Sequence, residues 1–204
     1  MNTTILYKPY RDENYAAFSA KLSKDPVFPH YGVRIPVLRK LACNIEDLSF
    51  PVVWHEDVLL KSLAIGKRKI PFGEKTVLLD ELIPYFTSWD HSDTAASALK
   101  VNSDDKYEAF SYFSSLLKDT RVFVRRLGIV WLMSNRKLFD CDTILSNITE
   151  ADNSDYYTSM AVAWALSMFF CDGYERTEYW MKKVSYETAE RARRKIRESR
   201  RKGV

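Results

Sequence analysis

"DTRVFVRRLGIVWLMS", residues 119–134, comes back 33 residues later as "DNSDYYTSMAVAWALS", residues 152–167. Asp119 overlies Asp152, Trp131 overlies Trp164 and Ser134 overlies Ser167, and the apolar positions between them agree. In the first copy Val124, Leu127 and Trp131 recur three and four residues apart, the spacing of one buried helical stripe. Repeated helical units of this length stack, each burying its apolar face against the next. The two copies therefore predict an all-α fold, an α-solenoid of helix pairs.

The same rhythm extends outward along the chain. Glycine is scarce, hairpin dipeptides are absent and period-two alternation never persists. Asp12 is placed to cap a helix reaching about Ser23, with Tyr15, Phe18 and Leu22 on one stripe. After the turn "DPVFPHYGVRIP", Pro36 suits the first position of the next helix, "PVLRKLA". Further helices are predicted over 56–67, 73–86, 89–100, 104–118, 120–134, 141–148, 155–171, 174–183 and 186–199. One domain over 1–204 is expected, ending in a basic helix at about 186–202.

Composition narrows the function. With 46% hydrophobic and 28% charged residues, the chain reads as globular. "MNTTILYKPYRDENY" lacks the apolar run of a secretory leader, and "MAVAWALSMFF" (160–170) is about half a membrane span. A cytoplasmic monomer without membrane contact is expected. Cys43, Cys141 and Cys171 form no CxxC pair, so reduced, buried thiols are predicted. His30, His55 and His91 have no partner at metal-ligand spacing, and no metal or other cofactor is expected. The absence of GxSxG, GxGxxG and a phosphate-cradling loop argues against serine hydrolysis and nucleotide-dependent chemistry. Residues 182–204 hold ten basic side chains against three acids, whereas the remainder of the chain is slightly acidic. A basic end on a near-neutral body points to a polyanion, although a solvated terminal helix would look the same.

Three places could carry chemistry. In "SWDHSD" (88–93) Ser88 resembles a helix cap, and Trp89 and Asp93 fall one turn apart on one face. Asp90 is explained as a first-turn acid favoured by the helix dipole; Asp93 lies deeper, where that advantage fades. A carboxylate beside an indole is suited to stabilising a developing glycosyl cation and orienting water. It would suffice alone if the leaving base were already cationic, because no general acid is then needed. In "RVFVRRLGIVW" (121–131) Arg121, Arg125 and Arg126 sit near a helix start, where guanidinium groups suit phosphate, or equally ion pairs to neighbouring acids. Finally, Tyr157, Ala161, Trp164 and Met168 share one face of a helix apolar all round, which places Trp164 either in the core or on a binding surface.

Taken together, "YGVRIPVLRKLA" (31–42), "SWDHSD", "FVRRLGIVW" (123–131), "YYTSMAVAWALS" (156–167) and "RRKIRES" (193–199) resemble, in order and spacing, the DNA alkylation repair family of AlkD-like proteins. The resemblance implies a right-handed superhelix of HEAT-like antiparallel helix pairs. It implies a monofunctional DNA glycosylase that hydrolyses the N-glycosidic bond of cationic N3- and N7-alkylated purines in double-stranded DNA. Carried over by position, Asp93 supports the glycosyl cation, Trp89 and Trp164 contact the deoxyribose, and Arg126 holds the backbone without base flipping. Arg121, Arg125, Arg194 and Arg197 complete the expected DNA contacts. Catalytic members carry two helices before the "GVR" element, whereas one helix, about 12–24, is predicted here, as in a shorter-ended branch that binds DNA without excising bases. A non-catalytic relative recognising distorted or branched DNA is therefore the alternative, and a helical-repeat scaffold for a protein partner the third.

Overall fold

The computed structural model describes residues 1–199 and contains α-helices, short 3-10 turns and, among the described residues, no strand. Arg200, and with it the expected end of the basic helix at 202, lies outside the described residues. The chain divides into two compact units, Met1–Asp105 and Lys106–Val204. The first holds α1 (Thr3–Tyr7), α2 (Glu13–Ser23), α3 (Ile35–Leu41), α4 (His55–Lys67), α5 (Phe72–Leu82) and α6 (Trp89–Ala98). The second holds α7 (Lys106–Ser115), α8 (Val122–Ser134), α9 (Cys141–Glu150), α10 (Tyr156–Cys171), α11 (Thr177–Met181) and α12 (Tyr186–Glu198).

In the first unit α4 is central, packed against α3, α5 and α6. Its opening residues His55, Glu56 and Asp57 are polar, yet none is more than 2% exposed. Burial on that scale requires complete pairing. Glu56 accepts from the backbone N–H groups of Tyr31, Gly32 and Val33 at 2.9, 2.7 and 3.1 Å. Asp57 accepts from the Tyr7 hydroxyl at 2.8 Å and from the amides of Val53 and Trp54. The "YGV" turn is thereby clamped onto α4. Gly32 sits at φ +100°, and a Cβ there would lie 2.2 Å from the Asp12 carbonyl oxygen, so only glycine fits.

The predicted cap of α2 is present, with Asp12 accepting from the Tyr15 amide at 2.9 Å. Of its predicted stripe only Tyr15 is partly buried. Phe18 and Leu22 are 59% and 54% exposed, and the inward side joins Tyr15 to the small residues Ala16, Ser19 and Ser23. The ideal Cβ position of Gly32 lies only 3.1 Å from the Ala16 Cβ, an approach that larger side chains would forbid. The prediction of a single helix before the turn is also corrected. The five-residue α1 precedes α2, started by the Asn2 side chain accepting from the Thr4 and Ile5 amides.

In the second unit α10 packs against α8, α9, α11 and α12, and α8 also packs against α7. Val124, Leu127 and Trp131 form the expected buried stripe, each at most 1% exposed. Trp131 stacks on Phe113 with ring centres 4.2 Å apart. The predicted burial of the cysteines fails: Cys43 is exposed, and Cys141 and Cys171 are partly so, all three as free thiols.

Candidate active site and nucleic-acid interface

Helix α6 buries His91, Ser92, Ala95 and Ala96 and leaves Trp89 and Asp93 partly open on the opposite face. The two residues predicted to work together thus share one accessible surface. The Trp89 indole N–H donates to the Leu22 carbonyl at the end of α2, at 3.3 Å. Ser88 occupies the cap position, but its side chain makes no cap bond; its hydroxyl donates instead to Asp90 Oδ1 at 2.6 Å. Asp90 is more than a dipole-favoured acid, because its other oxygen pairs with His55 Nε2 at 2.9 Å.

His55 is the centre of a network that sequence spacing does not reveal. Its Nδ1 meets Asp25 Oδ2 at 2.8 Å, so both ring nitrogens face carboxylates. Burial alone would drive this imidazole toward neutrality, but the bonds to Asp25 and Asp90 and their charges prevail, lifting its pKa to about 9. It is an imidazolium at neutral pH. Asp25 also accepts from the Val27 and Phe28 amides and the Thr87 hydroxyl, and these bonds with His55 overcome its burial and hold its pKa far below the usual carboxylate range. Asp90 is lowered as well, its burial outweighed chiefly by His55.

Two further rings sandwich this cation. His30 stacks on one face of His55 at 3.9 Å and His91 on the other at 4.3 Å. Burial, then the charge of His55, pushes His91 down to about 3. The Thr87 N–H points at His91 Nδ1, at 3.3 Å, which assigns the ring proton to Nε2, 3.8 Å from Asp25. Histidines that look isolated along the chain are therefore stacked in the fold. Asp25, His55 and His91 bring possible ligand atoms within 4.8 Å of one another. Lone pairs of stacked rings run side by side, however, and both His55 nitrogens are already engaged by acids. This arrangement suits a clamped imidazolium better than a metal chelate.

In the second unit Arg126 is 7% exposed and donates to the Tyr157 carbonyl at 3.0 Å, which holds it at the first turn of α10. Arg125 turns inward and donates to the carbonyls of Asp119 and Thr120 and to Asp155 Oδ2, all at 2.9 Å. Those bonds make it a brace between the starts of α8 and α10. Arg121 is exposed and forks onto the Asp119 carboxylate. On α12, Arg194 pairs with Glu198, while Arg197 is exposed.

Trp164 lies on the open face of α10 with Tyr157, Met160 and Met168, all partly buried in a helix otherwise largely enclosed. The repeat aligns it with Trp131, which is fully buried. Helix α8 is buried on every side from Val124 to Met133, whereas α10 leaves one stripe open, so equivalent tryptophans meet different surroundings.

Helical spacing in the sequence thus placed Trp89 and Asp93 on one face, which the structure leaves partly open. For Trp164 spacing left core or surface undecided, and only the family resemblance pointed to the surface. Sequence reasoning missed Asp25, His55 and Asp90 as partners because they are far apart in the chain. The consecutive "HED" opening α4 gave no warning, because polar and acidic residues in a helix's first turn are ordinarily solvated and favoured by its dipole. No curated protein and no solved structure matches the chain significantly. The sequence model of a family described as DNA alkylation repair enzyme matches residues 6–201, almost the whole chain. With this span matched and its ordered motifs in place on the helices, the chain belongs to the DNA alkylation repair enzyme family.

Proposed function

We propose that this protein is a monofunctional DNA glycosylase acting on cationic N3- and N7-alkylated purines in duplex DNA. The observation that carries the reading is the open face of α6, where Trp89 and Asp93 sit one turn apart on a helix whose start is anchored by His55 and Asp90. In the proposed reaction the C1′–N bond breaks and its electron pair neutralises the cationic base. No general acid is required. Asp93 stabilises the positive charge that develops on the sugar and orients water, which adds to C1′ and releases a proton. Trp89 and Trp164 contact the deoxyribose, and Arg126, Arg121, Arg194 and Arg197 contact phosphates. Arg125 serves as the brace that sets Arg126.

Single-turnover release of N7-methylguanine from a defined duplex tests this reading. Wild type should release the base, and Asp93→Asn should be slower by about 10² or more with duplex affinity little changed, the scale of losing one key electrostatic group. Equal rates would remove Asp93 from the chemistry. No release by wild type, with salt-sensitive binding retained, would favour the non-catalytic DNA-binding reading. Salt-insensitive or absent DNA binding would favour the protein scaffold.

A further inference from the structure

The first unit contains a cavity of about 360 Å³ lined by Arg39, Leu63, Gly66, Lys67, Ser97, Ala98 and Lys100. Three helix ends meet there: Arg39 is in the last turn of α3, Lys67 ends α4, and Ser97 and Ala98 end α6. Gly66 allows the approach, since a Cβ on it would lie 2.4 Å from the Ala98 carbonyl oxygen. No carboxylate lines the cavity, and none of its three cations has an ion pair among the described residues.

Basic residues near helix C-termini are often explained by the dipole alone. Three C-termini contribute roughly −0.5 charge each, or about −1.5 together, against three full positive charges. About half the cationic charge is left uncompensated, around a space large enough for a ligand group. Like charges gathered without an acid favour an anion, and an arginine fork with two ammonium groups suits phosphate oxygens.

Position indicates which phosphate. Ser97 is four residues beyond Asp93 on the same face of α6, about 6 Å along the helix axis. Phosphates on one DNA strand are spaced by roughly 3.4 Å of duplex axis, so a strand that follows α6 from Asp93 brings a phosphate to the cavity within about two nucleotide steps. We propose that Arg39, Lys67 and Lys100 form a phosphate-binding site that holds a backbone phosphodiester beside the nucleotide engaged by Asp93. This assignment rests on the glycosylase reading above and adds a backbone anchor within the first unit.

The test compares wild type, Arg39→Gln/Lys67→Gln/Lys100→Gln and Asp93→Asn. Affinity for an undamaged duplex is measured across a salt series, with folding checked by circular dichroism. Releasing one phosphate should reduce the slope of log affinity against log salt by about one unit in the triple variant only. An unchanged slope overturns the backbone assignment even if wild type is an active glycosylase. A second arm measures thermal stability in inorganic phosphate against chloride at equal ionic strength. Stabilisation lost in the triple variant, with the DNA slope unchanged, identifies a site for free phosphate and overturns the backbone role. If wild type binds no duplex, the glycosylase reading falls and the backbone assignment falls with it. The phosphate arm then decides the cavity alone: stabilisation lost in the variant supports a phosphate site, and no stabilisation overturns it.

Discussion

His55 holds its proton because two carboxylates share it, and this has a direction in pH. Its pKa is raised from the ordinary 6.5 to about 9, so the stability it supplies is complete below pH 6.5 and is lost as pH rises through 9. The size is on the order of 3 kcal/mol if the whole shift is realised. His91 acts oppositely: held near 3, it remains neutral while the unfolded chain protonates, and so it costs stability as pH falls below 6.5. Urea titrations should therefore show stability falling between about pH 6.5 and 9, and His55→Gln should flatten that slope. An unchanged slope in the variant would remove His55 as its source. At this scale Trp89 and Asp93 were readable because one turn of one helix sets their relation. Asp25, His55, Asp90 and His91 were not, because three separated segments bring them together.

Helices α7 and α8 meet closely at Gly128, where an added Cβ would lie 2.6 Å from the Phe113 carbonyl oxygen. In an open helix Gly→Ala stabilises by about 1 kcal/mol. Here the sign should reverse, with Gly128→Ala destabilising by about 1–3 kcal/mol as α8 is pushed from α7. Equilibrium unfolding would measure it, and a gain in stability would refute the close approach. Most helices from α2 onward appear near their predicted positions because apolar spacing, capping acids and prolines act locally. The errors were in facing and in short elements. Helix α1 has five residues and no room for a periodic pattern. On α2 the apolar stripe leaves Phe18 and Leu22 exposed, while the close approach of Gly32 is met by the small Ala16.

Across the whole molecule, charge is uneven in sequence but much of it is paired in the described structure. On α12 Arg191 pairs with Glu187, Arg193 with Glu190 and Arg194 with Glu198. Exposed pairs of this kind are screened by water and salt and add little, so phosphate can replace their acids at little cost. Arg194→Gln/Arg197→Gln should weaken duplex binding alike on all sequences and lower the salt slope by up to about two units. Unchanged binding across the salt series would exclude α12 from the interface. Helical periodicity, being local, was enough for the sequence by itself to determine the all-α class, the main helices and the shared face of Trp89 and Asp93. Only the tertiary structure decided which side of α2 is buried, which arginine braces the fold, which tryptophan of the repeat stays in the core, and that three separate histidines stack around one cation. Those outcomes depend on close packing and on charges brought together by chain segments far apart in sequence, which no local pattern encodes.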